Sequence, residues 1–421
     1  MNPFIRIFGA ETEPQGAFIA ETVQNQKTMK AIDFERIPDD RNEPTKPYTF
    51  CICGGGALGH VLAGVIGAQG YDVRMLTGHP DAWQSEITVE DLAGSRCTRR
   101  LHTISDRAEC TAGAADIVLL CVPGHLIRRE LLRIAPCLKP GTRVGSIVSS
   151  TGFFIMAKRI FGTDYPLFGF QRVPFIARVG KYGSSAQLLG YKSRLNMAFT
   201  DARTAEECVP LFESILRTPV SPLHHILEAM LTNSNPILHP ARLYGLFSEW
   251  RPGMTYERII PFYEAWDDRS SEVLIRCDEE FQRLLRRLPV REGTVPPLLE
   301  YYESTDAASL TRKIRSIEAF RGIGAPMKCD GDGFVPDFEH RYFTEDIPYG
   351  MLLLKYMAQL AEVETPAIDT VLEWGGRMTG TRYLAQGRID TALCTRIACL
   401  DRAMIEEIVH TPCGTAAATN D

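Results

Sequence analysis

The stretch that most restricts the fold runs from Thr49 to Leu76, TFCICGGGALGHVLAGVIGAQGYDVRML. A short apolar run meets a glycine cluster. Apolar residues then recur at helical spacing until Gly70 can close the helix, and a second apolar run follows. The pattern predicts strand, turn, helix, strand, with the length a parallel crossover needs. Gly54, Gly56 and Gly59 occupy a GxGxxG spacing inside it. The first glycine allows the tight turn, the second lets backbone approach a pyrophosphate, and the third lets helix and strand pack closely. Such a spacing alone is weak, but here a strand precedes it and a helix follows. The text therefore predicts a dinucleotide cradle of Gly54, Gly56, Ala57, Leu58 and Gly59, with phosphates at the helix start.

Later text extends the same sheet. Asp116 to Val122 reads as a strand entering a Pro-Gly turn and an amphipathic helix, and GTRVGSIVSS reads as another strand. Alternating strands and helices argue a doubly wound sheet. His125 lies in the turn after the Asp116 strand and reads as a solvated loop histidine. An NAD site usually carries a carboxylate at the end of the second strand, whereas this chain has Thr77, then Gly78 and His79. Thr77 and His79 could donate to a 2′-phosphate, so the cofactor expectation is NADP or NAD, leaning to NADP.

With 421 residues the chain exceeds one ordinary core. Its character changes after residue 200, where strand-like text nearly vanishes and helical candidates such as the run from Thr255 to Leu288 dominate. The expected fold class is α/β plus all-α, a Rossmann-type domain over 47–221 followed by a mostly helical substrate domain over 222–411, with an extension over 1–46 and a flexible tail over 412–421. A net charge of -6 argues against a nucleic-acid surface. Twelve cysteines form no CxxC pair or zinc spacing and read as reduced thiols, so the expected compartment is the cytoplasm and no metal is expected. No apolar run is long enough for a membrane span, and a homodimer is the expected assembly.

Two segments carry chemistry. In NSNPILHPARLYG, Pro236 and Pro240 flank His239 and predict that the ring sits at a helix boundary, where it can face a cleft. Imidazole suits a group that gives and takes a proton near neutrality. The bland reading of His239 is a capping or core-edge histidine. In HRYFTEDIPYG, Arg341, Glu345 and Asp346 crowd a segment stopped by Pro348 and Gly350, read as a boundary. Asp346 could orient His239, and Arg341 could hold a carboxylate bidentately. A surface Arg–Asp pair is the alternative.

These segments, with FGFQRVPFIAR, YYESTDAASL and FRGIGAPM, resemble the octopine/nopaline (opine) dehydrogenase family from about Pro47 to about Arg396. The resemblance implies an NAD(P)H-dependent enzyme that condenses an amino acid or related amine with a 2-oxo acid and reduces the imine. It implies His239 as the general acid and base, Asp346 as its partner, Arg341 as the carboxylate anchor and Gln171 as a substrate-binding amide. Asn233 and Asn235 read as local turn formers, while Asp267, Asp268 and the CDEEF run read as a solvated helix face that could otherwise meet a cationic amine. Two rivals share the layout: a ketopantoate-type 2-oxo acid reductase, which needs no amine, and a non-catalytic dinucleotide sensor.

Overall fold

The computed structural model describes residues 47–390, 392–393 and 402–410; the extension over 1–46 and the tail over 412–421 lie outside the described residues. Strand β1 (Thr49–Cys53) runs into helix α1 (Ala57–Ala68), which returns the chain to β2 (Asp72–Leu76). A hairpin of β3 (Glu86–Asp91) and β4 (Arg96–Arg100) intervenes before β5 (Thr103–Ser105). Next come β6 (Ile117–Leu120), α2 (Gly124–Ile134), β7 (Arg143–Ser146), α3 (Phe153–Phe161) and β8 (Leu167–Phe170). A second hairpin of β9 (Phe175–Val179) and β10 (Ser185–Tyr191) precedes β11 (Leu195–Phe199), α4 (Ala202–Leu216) and β12 (Val220–Pro222).

The main sheet has the order β12-β11-β8-β7-β6-β1-β2-β5, with β8 and β11 antiparallel and the other neighbours parallel. The chain leaves β1 towards β2 on one side and later returns to β6 on the other. This is the switch point of a doubly wound sheet, and its crevice opens at the carboxyl ends of β1 and β6. The fold class expected from sequence is the one observed. The two hairpins pair as a separate sheet, β4-β3-β10-β9, which covers α1. Val61, Leu62, Val65 and Ile66 of α1 are buried in one core with Ile87 and Val89 of β3, and each such side chain contributes roughly 1.5–3 kcal/mol.

The second half is helical, as its text predicts, apart from two short ladders: β13 (Met327–Asp330) with β14 (Gly333–Pro336), and β15 (Leu384–Ala385) with β16 (Arg388–Ile389). Its helices are α5 (Ile226–Met230), α6 (Asn235–Phe247), α7 (Asp268–Leu285), α8 (Leu298–Tyr301) and α9 (Ala307–Ser316). A π-helical segment (Tyr342–Met351) then continues into α10 (Leu352–Leu360), followed by α11 (Pro366–Thr379). The long candidate from Thr255 becomes helix only at Asp268, because the Asp267 carboxylate accepts from Ser270 N at 2.7 Å and starts α7 there. Among the described residues no helix is long and apolar enough to cross a membrane.

Two boundary expectations are corrected. His239 lies inside α6, whose first turn contains Pro236 and whose second contains Pro240. Pro236 removes little, since the leading N–H groups have no helical partner, whereas Pro240 is an interior proline and forgoes one bond to the preceding turn without ending the helix. Pro348 likewise does not stop its segment: it sits within the π-helical run, which continues into α10. Bulged π turns of this kind are frequent at functional sites.

Candidate active site

Gly54 has φ +117, and a Cβ there would lie 2.7 Å from Cys121 O, so only glycine takes the turn. A Cβ on Gly59 would lie 1.9 Å from Gly54 O, which is how closely α1 approaches the end of β1. Around Gly56 the space is open within 4 Å. Helix α1 has no side-chain cap and no acidic residue in its first turn. Its leading N–H groups and positive dipole end suit a pyrophosphate, so these residues fit a dinucleotide. A Cβ on Gly55 would meet Thr77 Oγ1 and the Tyr182 hydroxyl at 2.9 Å each and Trp83 Cζ2 at 3.1 Å. Thr77 is buried and accepts from His79 N at 3.3 Å. Trp83 and Tyr182 have no signal in the text around the glycines, because they arrive with the loops of the second sheet.

His60 ties the turn to that sheet. Its Nδ1 donates to Gly56 O at 2.9 Å and its Nε2 accepts from Gly183 N at 2.8 Å, so the neutral ring is the form that fits. Burial holds its pKa below the ordinary 6.5, opposed by the Gly56 bond. Since the folded pKa is the lower one, the unfolded chain takes the proton first as acid is added. The contribution of His60 is full above about 6.5 and is lost as pH falls from there through the lower pKa of the folded chain. Thermal melts between pH 8 and 5 should therefore show a steeper acid loss for the native chain than for His60→Gln, and equal slopes would remove this role.

The His239 ring is built into the helical domain. Its Nδ1 lies 2.8 Å from Asp346 Oδ2 and its Nε2 lies 3.0 Å from the Tyr263 hydroxyl. Tyr342 stacks on it at 4.0 Å with an interplanar angle of 27°. His239 and Asp346 are both buried, at 1% and 7% exposure. A carboxylate only accepts, so Nδ1 carries a proton and Nε2 is left as the exchanging nitrogen. Tyr263 donates to Nε2 of the neutral ring and can accept from the imidazolium, so the outer nitrogen is paired in either state.

Tyr263 is positioned by Arg242, which is fully buried one helical turn beyond His239. Arg242 donates to Phe262 O at 2.8 Å, Ala265 O at 2.6 Å, Ser270 Oγ at 2.9 Å and Asp267 Oδ2 at 3.2 Å, stapling the loop that carries Tyr263. Burial pulls the Arg242 pKa down to about 10, against the Asp267 charge, and the guanidinium stays charged. Asp267 thus caps α7 and pairs with Arg242.

Arg341 directly precedes the π-helical segment, its side chain 42% exposed and its Nη2 3.1 Å from Glu345 Oε2. One stretch therefore carries the exposed guanidinium, the ring stacked on His239 and the carboxylate bonded to it. Gln171 links the two halves of the chain. Its Nε2 donates to Glu228 O at 2.8 Å, and its Oε1 accepts from Asn196 Nδ2 at 2.9 Å. The amide so ties the end of β8 to the helical domain, and its oxygen keeps a second lone pair. Asn233 makes no local turn: its Nδ2 donates to Asp278 Oδ1 and Pro296 O, both at 2.8 Å. The acidic run is split: Asp268 and Glu279 are exposed, as a solvated face has them. Asp278 and Glu280 are buried, and Glu280 accepts from Ala367 N and Ile368 N at the start of α11.

Residues 222–379 match the family model described as NAD/NADP octopine/nopaline dehydrogenase, alpha-helical domain. Octopine dehydrogenase of Pecten maximus is 28% identical over 370 residues, covering 80% of this chain and 92% of that protein. Tauropine dehydrogenase of Arabella iricolor is 27% identical over 371 residues, 80% and 93% of the two chains. The uncharacterized protein y4xO of Sinorhizobium fredii is 32% identical over 357 residues, 77% and 93%. A solved octopine dehydrogenase with NADH and L-arginine superposes with a TM-score of 0.72 at 26% identity, covering 84% of this chain and 99% of that one. The same enzyme with NADH and pyruvate gives 0.71 at 25% identity, covering 82% and 92%. With sheet, cradle and helical domain all in this arrangement, the chain belongs to the octopine/nopaline dehydrogenase family and is an NAD(P)-dependent oxidoreductase of the opine dehydrogenase type.

Proposed function

We propose that this chain condenses the amino group of an amino acid or related amine with the carbonyl of a 2-oxo acid, pyruvate foremost, and reduces the imine in the crevice above β1 and β6. The observation that carries the reading is the buried Asp346–His239 pair, 2.8 Å apart, with Asp346 on the segment that Arg341 opens. When seated on the glycine turn, a reduced dinucleotide supplies the hydride. The chain's own groups do the rest. Arg341 holds the oxo-acid carboxylate and so sets where the carbonyl carbon lies. His239 delivers a proton from Nε2 as negative charge develops on the carbonyl oxygen or imine nitrogen, and takes it back in the oxidative direction. Asp346 fixes the tautomer and stabilises the imidazolium that forms. Thr77 in place of a carboxylate at the end of β2 supports NADPH over NADH, and the buried free thiols Cys51, Cys53, Cys208 and Cys277 support a reducing, cytoplasmic setting.

Purified protein tests this directly by cofactor absorbance, with pyruvate or other 2-oxo acids and with or without a pool of amino acids and taurine. The expected result is oxidation that requires both partners, with kcat/KM larger for NADPH. Oxidation of the cofactor by the 2-oxo acid alone would place the chain with the simple reductases instead.

A further inference from the structure

Glu345 contacts both domains, and the proposed chemistry assigns it no part. It is 7% exposed. Its Oε1 accepts from Gly124 N at 2.9 Å, across 221 residues of chain. Gly124 opens α2 at the carboxyl end of β6, on the crevice described above. Helix α2 has no side-chain cap of its own and no acidic residue in its first turn, so the carboxylate meeting that positive end comes from the other domain. A Cβ on Gly124 would lie 3.2 Å from Tyr349 Cβ and 2.7 Å from Thr151 Cγ2, so glycine is what lets the π-helical segment come this near. The other oxygen, Oε2, is the one 3.1 Å from Arg341 Nη2.

We propose that Glu345 is a positioning residue, which registers the guanidinium of Arg341 against the cofactor-binding domain and thereby sets the distance between a bound 2-oxo acid and the reduced dinucleotide. The inference rests on the reading of Arg341 as the carboxylate anchor. The contact is charge on charge: Oε2 accepts no hydrogen bond from the described residues but lies 3.1 Å from a terminal nitrogen of the planar guanidinium fork. Removing that charge shifts the fork, and misplacement by about 1 Å can cost on the order of 100-fold in rate. The two domains supply the two reactants, so a link from a backbone N–H of one to the anchor of the other controls their separation directly.

The substitution that isolates this role is Glu345→Gln, which keeps an oxygen for Gly124 N–H and removes the charge facing Arg341. Steady-state kinetics should show the KM for the 2-oxo acid rising about tenfold and kcat falling with it, because the carbonyl carbon is no longer held at its distance from the dinucleotide, while dinucleotide Kd and Tm stay close to native values. In an Arg341→Lys background the same substitution should change KM by less than about twofold, because its effect passes through the guanidinium. Additive effects in the two backgrounds, or a Tm loss with proportionate loss of every parameter, would reduce Glu345 to a structural cap and overturn the proposal. An Arg341→Ala enzyme measured alongside separates the two levels. Native KM in that variant removes the anchor reading itself, whereas a raised KM there with an unaffected Glu345→Gln enzyme removes only the positioning role.

Discussion

Replacing His239 by asparagine lowers kcat by roughly 10²- to 10⁴-fold, the span that a positioned acid and base contributes, while dinucleotide affinity stays native. The separation follows from the fold. His239 stands in α6 of the helical domain, while the glycine turn belongs to the parallel sheet. Asparagine is preferred to alanine because the ring is 1% exposed and stacked on Tyr342 at 4.0 Å; deleting it altogether leaves a cavity next to a buried carboxylate. Asp346→Asn should lose a large part of the same rate and add little when combined with His239→Asn, since the two act as one unit. Tyr263→Phe removes only the partner of Nε2 and should retain more activity than either. Fluorescence titration of the cofactor, stopped-flow turnover and thermal melts on the same preparations check the set. Turnover near the native rate in His239→Asn would remove the histidine from the mechanism.

The sequence shows the cofactor half of this site far more plainly than the substrate half, and the reason is physical. The demands at Gly54 and Gly59 are local: a positive φ and a contact within one turn leave their mark in adjacent letters. His239 and Asp346 were legible as chemical types, but not their placement. Pro240 and Pro348 read as helix ends by a local steric rule, yet one falls in the second turn of α6 and the other in a π-helical segment that continues. Tyr263 reaches His239 from 24 residues away, and Glu345 reaches Gly124 from 221 away. Nothing near either residue announces such a contact. Two acidic residues of α7 are hidden from the text for the same reason: Asp278 and Glu280 look like part of its exposed face, with Asp268 and Glu279, until Leu298, Ala367 and Ile368 arrive with bare N–H groups to be met. Gln171 likewise reaches Glu228, 57 residues away, and Asn196, 25 away, contacts that its own surroundings in the text do not announce.

Two glycines of the turn should fail in different ways when replaced by alanine, and the contrast tests where the dinucleotide sits. At Gly59 the new methyl would stand 1.9 Å from Gly54 O, a backbone atom that cannot rotate away. Helix α1 must then move off β1, so Gly59→Ala should lower Tm and weaken dinucleotide binding by about 100-fold or more, equivalent to roughly 2.8 kcal/mol. At Gly56 nothing in the protein lies within 4 Å of the added methyl. Gly56→Ala should therefore melt like the native chain, within about 0.5 kcal/mol. It should still bind NADPH and NADH at least tenfold more weakly, because the methyl fills the space through which backbone approaches a pyrophosphate. Thermal melts without ligand and fluorescence titrations with each cofactor separate the two effects. A Gly56→Ala protein with native Tm and native affinity would mean that the phosphates do not rest on the start of α1. The crevice reading would then have to find them another seat, whereas a lost affinity at unchanged Tm leaves the glycine turn as the place where they bind.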